Sequence, residues 1–495
     1  MLPAQKGIWK IITASSVGTL IEWYDFYIFG SLSTIIAAKF FPSANPTAAL
    51  LSTLATFAAG FIVRPFGALV FGRLGDLIGR KYTFLLTLVL MGSSTFLIGC
   101  VPSYASIGYF APLLVLLLRL VQGLALGGEY GGAATYVAEH SPAHKRGFYT
   151  SWIQTTATLG LFLSLAVILS IRRMVGVDEF TNGNGWRYPF LLSIVLVAVS
   201  IVIRMKMKES PLFTQLKKEG KTSVNPLKES FGHKLNFKMV LLALFGATMG
   251  QGVIWYTSQF YAQSFLLTKC NVEYEQANTI ILIALVLATP FFVIFGSLSD
   301  RIGRRNIMLC GMLLGVLLYR PIFNQLYQLA DTSNKTVVNE TRSVSTKGDF
   351  GAFVQTAVVT KHFTDSSSIK TTTTNSLLIK ETKTTKEVKL ASADTWKMVL
   401  LIALMVLFVT MVYGPIAAFL VEMFPTKIRY TSMSLPYHIG NGVFGGLVPF
   451  IATLITTIPG TNYLSGLWYP IGIAALSVII CFLYVPVRKD KKIRD

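Results

Sequence analysis

Charged residues are scarce in this sequence. Asp, Glu, Lys and Arg make up only 14% of the 495 residues, and 53% of the residues are apolar. A soluble protein of this length carries roughly a quarter charged residues in two or three domains. A disordered chain has few apolar residues. The composition therefore excludes a disordered chain and argues against an ordinary soluble protein.

Cysteine and catalytic motifs are also lacking. The four cysteines show no CxxC or metal-ligand spacing, so we expect neither a disulfide framework nor a zinc site. There is no HExxH or GxSxG motif. The sequence at Gly220 to Thr222 is similar to the end of a P-loop, but Gln215 replaces the required glycine. The sequence thus predicts no enzyme, no metal and no resident cofactor.

Long apolar runs dominate instead. A membrane-spanning helix needs about 20 mainly apolar residues, and twelve such runs fit along the chain. The first run lacks a small-residue cleavage site, so we expect a retained helix and not a signal peptide. The predicted helices cover residues 11–36, 50–72, 82–101, 110–138, 148–171, 188–204, 238–266, 276–298, 306–328, 396–421, 432–457 and 465–487.

Lysine and arginine are distributed unevenly among the predicted loops. They concentrate after helices 2, 4, 8 and 10, in the segment after helix 6 and in the C-terminal tail. Because basic residues collect on the cytoplasmic side, we expect both termini in the cytoplasm of a multi-pass cytoplasmic (inner) membrane protein. We therefore interpret the net charge of +21 as a topology signal, with a lipid bilayer and no nucleic acid as partner.

Residues 330–395 differ from the rest of the chain. They are rich in Thr, Ser and Val, and the alternation from Ile369 to Leu390 is typical of β-strands. The twelve-helix count places this small β-rich insert outside the membrane on the extracytoplasmic side, between helices 9 and 10. It is interpreted as a surface loop, with a substrate-capturing cap or a partner-docking module as alternatives.

Two motifs occur once in each half of the chain. A Gly-x-x-x-Asp-x-x-Gly pattern with basic residues follows helices 2 and 8, and a Glu-x-x-Pro-x-x-x-Arg pattern follows helices 4 and 10. The second pair lies about 60 residues further apart than the first, which matches the length of the insert. The residues of these motifs are Gly72, Asp76, Gly79, Arg80, Lys81, Glu139 and Arg146 in the first half, and Gly296, Asp300, Arg301, Gly303, Arg304, Arg305, Glu422 and Arg429 in the second.

The repeat predicts two six-helix halves with a substrate site between them, as in transporters. The repeated motifs are predicted to form a gate, because an Asp can sit at a helix N-terminus and arginines can pair with Glu139 or Glu422 in one state and release them in another. Static salt bridges that only fix the topology are the alternative. The predicted domains are 1–204 (first half), 205–237 (cytoplasmic linker), 238–329 (helices 7–9), 330–395 (insert) and 396–495 (helices 10–12 and tail).

The sequence resembles the major facilitator superfamily, and within it the metabolite:proton symporter group. The resemblance covers essentially the whole chain except residues 330–395, and Leu77 departs from it because an Arg usually follows the Asp. It implies an all-α fold of twelve transmembrane helices and transport of a solute such as α-ketoglutarate, shikimate, citrate, proline or betaine. It lies in the two Gly-x-x-x-Asp loops and in residues 18–26 (GTLIEWYDF), 64–67 (RPFG), 119–123 (RLVQG), 127–132 (GGEYGG), 146–152 (RGFYTSW) and 186–190 (WRYPF).

Charges inside the predicted membrane helices are concentrated in the first half. Each costs on the order of 2.5–3.5 kcal/mol on insertion scales, so each needs a partner or a water-filled cavity. We predict that Asp25, Arg119 and Glu129 couple transport to protons, with Arg119 pairing with either carboxylate, as the resemblance also implies for this Arg. A fixed ion-pair network is the alternative.

Five residues are predicted to contact substrate. Arg64 can form a bidentate pair with a carboxylate, although it can equally be a structural partner of Glu22 or Asp25. A lone histidine such as His438 is expected to be hydrogen-bonded and silent. The predicted contacts are Glu22, Arg64, Gln251, Tyr256 and Asn441.

The sequence thus predicts a monomeric symporter that takes up a small organic acid or zwitterion with a proton. The proton gradient is the driving force and no cofactor is expected. Two alternatives remain open, namely an uncoupled facilitator of the same solutes and a nutrient sensor that keeps a transporter-like fold.

Overall fold

A computed structural model describes most of the chain, and the fold follows from these parts. Two predicted regions lie largely outside them, the linker at 205–237 and the C-terminal tail. The described residues are 8–41, 46–78, 80–128, 130, 134–135, 137–138, 141–205, 228, 231–349, 352–376, 381–424 and 429–486.

The fold is mainly helical, and its main helical segments are labelled α1 to α12 in chain order. Several of them are broken within their length, at Val63, Thr289 and Gly414 among other places. In the first half they are α1 (Ile8–Ser31), α2 (Pro46–Ile62 and Arg64–Ile78), α3 (Arg80–Cys100), α4 (Phe110–Gly127), α5 (Arg146–Val175) and α6 (Tyr188–Met205). In the second half they are α7 (Lys234–Thr268), α8 (Tyr274–Ala288 and Pro290–Ile302), α9 (Arg304–Ala330), α10 (Ser392–Tyr413 and Ile416–Met423), α11 (Arg429–Tyr437, continuing through Val448–Ile455) and α12 (Trp468–Tyr484).

Ten helical segments within the described residues are long and apolar enough to cross a membrane. They belong to α2 and to α4 through α12, whereas α1 and α3 do not meet this criterion. The prediction of a mainly helical, multi-pass membrane protein is confirmed at this level. Apolar side chains from both halves are buried in one common core.

The two halves contact each other through helices that the internal repeat relates. Helix α5 packs against α8, and α2 packs against α11. The α5–α8 contact is very close, since a side chain at Gly147 would collide with the backbone carbonyl of Gly296. Small residues at such crossings let helix backbones approach and shift against each other.

Helices α7 and α11 contain π-helical turns and contact each other. The turns are Leu244–Thr248 and Thr257–Tyr261 in α7 and His438–Gly445 in α11. A side chain added at Gly440 would collide with Thr248, so the two backbones touch at this crossing. Turns of this kind are rare and occur frequently at functional sites.

The insert between α9 and α10 contains a four-stranded antiparallel sheet in the order β1-β2-β3-β4. Alternation in the sequence pointed only to the region of β3 and β4. The first two strands carry many polar side chains, and β1 is exposed along its described side chains, so neither has a clear alternating pattern. The strands are β1 (Val337–Asp349), β2 (Ala352–Phe363), β3 (Ser368–Ser376) and β4 (Glu381–Lys389).

The sheet is attached to the start of α8. The Val388 backbone accepts a hydrogen bond from the Glu273 N–H (2.9 Å) and donates one to the Asn271 carbonyl (2.7 Å). The Gln276 side chain accepts from the Leu390 N–H (2.8 Å) and donates to the Leu390 carbonyl (3.1 Å). The insert is therefore joined to the helical body by a backbone bridge and a side-chain clamp.

An ion pair holds the base of the sheet. Lys335 Nζ lies 2.6 Å from Asp365 Oδ2 and 3.7 Å from Asp394 Oδ2. Burial opposes ionisation of Asp365, but hydrogen bonds from Lys335 and Ser367 outweigh it and lower the pKa of this carboxyl to about 2. The Asp365 carboxylate is thus ionised at neutral pH.

Candidate functional site between the two halves

A small cavity lies between the halves and is lined by both of them. Glu22, Trp23 and Arg64 line it from α1 and α2, and Tyr437 and His438 line it from α11. The helix pairing described above brings these elements together, because α2 packs against α11 at this level. Two of the five predicted substrate contacts, Glu22 and Arg64, therefore line one cavity.

Arg64 is held in this space by aromatic rings. Its side chain is 1% exposed, and its Cζ lies 4.1 Å from the ring centroid of Phe61 and 4.4 Å from that of Phe26. Nε and Nη2 have no hydrogen-bond partner among the described residues. The guanidinium thus keeps two buried donors for a ligand while the rings provide cation–π contacts.

An aromatic stack crosses from one half to the other. Tyr27 stacks on Trp23 (centroids 5.0 Å apart) and, on the second half, on Trp255 (5.3 Å). Phe61 meets Tyr256 edge to face at 5.0 Å. These contacts make the interface between the halves predominantly aromatic around Arg64, so a ligand there meets ring faces as well as charge.

Gln251, Tyr256 and Asn441, the other predicted contacts, are all buried on the second half. The Gln251 amide donates to Asn441 Oδ1 at 3.5 Å, and the Asn441 amide donates to the Tyr437 hydroxyl at 3.2 Å. Gln251 Oε1 has no partner among the described residues, whereas the Tyr256 hydroxyl faces the Arg64 and Tyr27 side chains. Both amide atoms of Gln259, which sequence reasoning did not select, are also without a partner.

Tyr130 is a further residue that sequence reasoning did not select. Its ring stacks on Tyr437 with centroids 3.5 Å apart, and its hydroxyl accepts a hydrogen bond from Gln154 at 2.6 Å. Tyr130 belongs to the first half and Tyr437 to the second, so the stack joins the halves beside the cavity. Its position in the glycine-rich 127–132 segment is the one signal in the sequence that marked it.

Asp25 is not among the residues of α1 that line the cavity, although Glu22, which does, is only about 60° away around the helix. At 100° per residue, Asp25 is rotated about 160° from both Trp23 and Tyr27, which face the second half. Its side chain is 1% exposed, and neither oxygen has a hydrogen-bond donor among the described residues. Asp25 is therefore buried inside the first half and does not line the cavity.

Arg119 makes no ion pair with Asp25 in this conformation, and its predicted pairing with either carboxylate stays a prediction. Its Nη1 donates to Gln122 Oε1 at 2.8 Å and its Nη2 to the Phe57 carbonyl at 3.3 Å. Its Cζ also lies 4.1 Å from the Phe26 ring centroid. An uncharged amide, backbone oxygens and ring faces thus surround Arg119 here. Glu129, the other predicted partner, lies outside the described residues.

At one end of the molecule four charged residues connect the halves. Asp300 of α8 accepts hydrogen bonds from the backbone N–H groups of Gly147 (3.0 Å) and Phe148 (2.9 Å) in the first turn of α5. Asp300 also pairs with Arg304 at 2.6 Å. A carboxylate is stabilised there by the free N–H groups and the positive end of the helix dipole.

Glu422 of α10 completes this group, which we call the Asp300 cluster (Arg146, Asp300, Arg304 and Glu422). Its Oε1 lies 3.1 Å from Arg146 Nη1 and 3.0 Å from Arg304 Nη2. Gly303 has a φ of +98°, which favours glycine and allows the tight turn that places Arg304 here.

Three predicted gate residues of the second half lie outside this cluster. Arg301 is exposed, Arg305 donates to the Phe482 carbonyl of α12 at 2.6 Å, and Arg429 donates to the Phe424 carbonyl at 3.2 Å. The first-half motif cannot be compared. Gly79 and Glu139 lie outside the described residues. At four further positions only the backbone is described, namely Gly72, Asp76, Arg80 and Lys81.

At the opposite end of α5 a second set of contacts joins the halves. Arg173 donates to Glu275 Oε1 through Nε (2.8 Å) and Nη2 (2.6 Å), and Arg172 lies over the Tyr274 ring at 4.6 Å. The Tyr274 hydroxyl donates to the Ser31 carbonyl at 3.3 Å. Sequence reasoning missed these contacts. Both ends of the interface between the halves are therefore joined by polar contacts in this conformation.

In the part of the chain that the structure describes, no group of three or more His, Cys, Asp or Glu residues is arranged to hold a metal ion. The site therefore consists of one buried arginine, one buried carboxylate, aromatic faces and amide and hydroxyl groups. Such a set can bind a small polar solute through hydrogen bonds, charge and cation–π contacts.

Comparison with known proteins gives a family and several relatives. The sugar (and other) transporter family matches residues 10–341 and 374–494, and the unmatched interval lies in the sheet. The α-ketoglutarate permease of Escherichia coli (strain K12) is 31% identical over 490 residues, which is 99% of this chain and 96% of the permease. The citrate-proton symporter of Klebsiella pneumoniae is 28% identical over 94% of this chain and 90% of its own length.

Other matches are partial or more distant. The proline/betaine transporter of Salmonella typhimurium (strain LT2) is 37% identical over 324 residues, and the match spans 63% of this chain and only 64% of that transporter. A solved structure of the xylose transporter XylE of E. coli, in a partially occluded inward-open conformation, superposes with a TM-score of 0.65 at 17% identity. It covers 98% of this chain and 100% of XylE, which shows a common fold.

Proposed function

The chain belongs to the sugar (and other) transporter family of the major facilitator superfamily, and from this premise we propose that it is a proton-coupled symporter of a small carboxylate or zwitterion. Family membership makes it a multi-pass membrane transporter and not an enzyme. The solute, the coupling ion and the direction of transport are the proposed part.

One observation carries the proposal, namely a group of buried polar side chains between the halves without partners. Arg64 Nε and Nη2, Gln251 Oε1 and the Gln259 amide are all of this kind among the described residues. Each buried, unpaired polar group costs about 1–3 kcal/mol, so a concentration of them supports a site that a solute or water completes.

The chemistry of the site suits a carboxylate-bearing solute. Arg64 can bind the carboxylate through two parallel hydrogen bonds. For a zwitterion, the stacked rings of Trp23, Tyr27 and Trp255 offer faces to a cationic group, and Glu22 lies in the same cavity. The names of the full-length relatives, an α-ketoglutarate permease and a citrate-proton symporter, support a carboxylate.

We further propose a topology of twelve spanning helices, with α1 and α3 added to the ten that meet the length and composition criterion. Both termini and the 205–237 linker are then cytoplasmic, and the 330–395 insert is extracytoplasmic. The two halves comprise 1–204 and 238–495, and the protein acts as a monomer in a bacterial-type inner membrane.

In this topology the Asp300 cluster is the cytoplasmic gate, and the contacts of Arg173 and Tyr274 form the extracytoplasmic one. Alternating access requires that one set opens while the other stays closed. The cluster suits this role because the Arg146–Glu422 ion pair and the hydrogen bonds of Asp300 to the first turn of α5 join the two halves. Arg304 holds both of these carboxylates in place.

Asp25, Arg119 and Glu129 are proposed to carry the proton coupling. Asp25 is a buried carboxyl without a hydrogen-bond donor among the described residues, and it lies apart from the cavity on α1. A carboxyl so placed can bind and release a proton without contacting the solute. Arg119, on the adjacent α4, becomes its partner only after a rearrangement of the first half.

The test is uptake by purified protein in proteoliposomes with an inward proton gradient. Labelled α-ketoglutarate, citrate, proline and glycine betaine serve as the panel. At least one solute should accumulate above equilibrium, and a proton ionophore should abolish the accumulation.

Asp25→Asn should stop accumulation while exchange of labelled for unlabelled solute continues, and Asp178→Asn, at an exposed position, should change neither. Uptake that only reaches equilibrium and ignores the ionophore would establish an uncoupled facilitator. Binding without any flux would favour the nutrient sensor.

A further inference from the structure

His438 is buried at the start of the π-helical turn of α11, and its imidazole is unsatisfied. The residue is 2% exposed, and neither Nδ1 nor Nε2 has a hydrogen-bond partner among the described residues. The Gly127 backbone lies close to the imidazole but forms no hydrogen bond of normal geometry with it. A neutral imidazole offers one donor and one acceptor, and most buried groups of this type have a partner.

A role in packing α11 does not explain why a histidine stands at position 438, because the neighbouring Tyr437 makes the packing contacts of this turn. The Tyr437 hydroxyl shares a hydrogen bond with the Tyr413 hydroxyl (2.7 Å) and accepts one from Asn441 (3.2 Å), and its ring stacks on Tyr130 at 3.5 Å. His438 meets the Tyr437 ring edge to face, with centroids 5.4 Å apart. A leucine or phenylalanine would fill this volume without leaving two nitrogens unsatisfied.

The position of His438 points to a ligand. It lines the same cavity as Arg64 and Glu22, but it belongs to the second half, whereas they belong to the first. It also begins one of the π-helical turns, which are rare in proteins but frequent at functional sites.

We propose that His438 is a substrate-binding residue that recognises the carboxylate of the solute together with Arg64. This inference rests on the proposed function. Arg64 donates to both carboxylate oxygens and the His438 ring N–H donates to the remaining lone pair of one of them, so one ligand group connects α2 of the first half with α11 of the second. The connection makes closure of the halves depend on a correctly placed carboxylate.

The test compares His438→Leu and His438→Gln with the wild type in the proteoliposome assay. Leucine removes both nitrogens, so the KM for α-ketoglutarate and glycine betaine should rise about tenfold or more, while the maximal rate stays within about twofold. Glutamine keeps an N–H donor and should lose less affinity. His362→Leu, at an exposed position of the sheet, is the matched control and should leave both constants unchanged.

A double variant separates binding from general packing. If Arg64 and His438 hold one carboxylate, Arg64→Lys combined with His438→Leu should lose less affinity than the product of the single losses. If His438→Leu does not reach the membrane, His438→Gln and His438→Asn replace it in the same comparison. A KM within twofold of the wild type for both solutes, or a lower maximal rate at unchanged KM, would overturn the proposal.

The failure of this inference is distinguishable from that of the proposed function. If the wild type transports a solute but the His438 variants bind it equally well, only the inference fails. If the wild type transports nothing, thermal-shift binding of the same two carboxylates decides. If the carboxylates raise the melting temperature of the wild type but not that of His438→Leu, the inference is supported. If they raise it equally in both proteins, or do not raise it in the wild type, the inference is overturned.

Discussion

Replacing Asp300 by asparagine should open the cytoplasmic end of the transporter. The carboxylate accepts two backbone hydrogen bonds from the first turn of α5, at 3.0 and 2.9 Å, and pairs with Arg304 at 2.6 Å. Both partners of the ion pair are buried, with side chains 7% and 8% exposed. Asparagine keeps one acceptor oxygen, loses the charge and cannot accept all of these hydrogen bonds.

The magnitude follows from these contacts. Removing one partner of a buried, hydrogen-bonded ion pair costs about 3–5 kcal/mol, and the open state regains hydration that offsets part of it. A net loss of about 3 kcal/mol for the closed state corresponds to a roughly 100-fold shift towards the open state. If the closed state predominates in the parent protein, residues at the interface between the halves should react at least about ten times faster with a reagent added from the cytoplasmic side.

Thr135 provides the reporter position. Its hydroxyl lies 3.4 Å from the Met433 sulfur, across the interface between the halves, and the residue is 3% exposed. In inside-out vesicles, a cysteine substituted for Thr135 should react slowly with an impermeant maleimide in the parent protein and at least about ten times faster with Asp300→Asn. The background replaces the native cysteines, which are Cys100, Cys270, Cys310 and Cys481.

Arg301 and Arg304 form a matched pair for this assay. Both belong to the repeated motif, but Arg304 is in the cluster and Arg301 is exposed. Arg304→Gln should therefore increase labelling as Asp300→Asn does, and Arg301→Gln should leave it unchanged. Equal labelling of Asp300→Asn and its parent, or equal effects of the two arginine variants, would refute the assignment of the gate.

Three further predictions concern other parts of the structure. Gly147→Ala places a methyl group against the Gly296 backbone, so transport rate should fall about tenfold or more in an uptake assay, whereas Gly472→Ala, with open space around it, should be silent. Gln276→Leu removes the clamp on Leu390 and should speed limited proteolysis of the insert roughly tenfold, while an unchanged rate would show that the backbone bridge suffices. Arg64→Lys keeps the charge but not the bidentate geometry, so the KM for carboxylates should rise about tenfold, and an unchanged KM would remove Arg64 from the site.

Much of the fold was predictable from the sequence because membrane helices are long apolar runs. The repeated motifs also identified the Asp300 cluster, since Arg146, Asp300, Arg304 and Glu422 all lie in them. The pattern did not distinguish Arg304 from Arg301. Arg301 lies at the end of α8 and Arg304 at the start of α9, and the turn at Gly303, with a φ of +98°, directs Arg304 towards the cluster. The spacing of the residues in the motif does not reveal this geometry.

The outer contacts and the cavity were harder to predict. Arg173 and Glu275 are 102 residues apart and meet only through packing of α5 against the second half. The sequence around His438 does not show whether its nitrogens have partners. That depends on the three-dimensional packing, in which Tyr413, Asn441 and Tyr130 contact Tyr437 and not His438. Asp25 and Glu22 are three residues apart, and only the rotation of α1 in the bundle separates a cavity residue from one buried in the first half.

The central claim is that solute and proton cross together. It is tested most directly by adding solute to de-energised proteoliposomes and recording the external pH in lightly buffered medium. A proton symporter should raise the external pH when solute is added. A proton ionophore should abolish this rise, and Asp25→Asn should not show it. Entry of labelled solute to equilibrium with no change in external pH would contradict it.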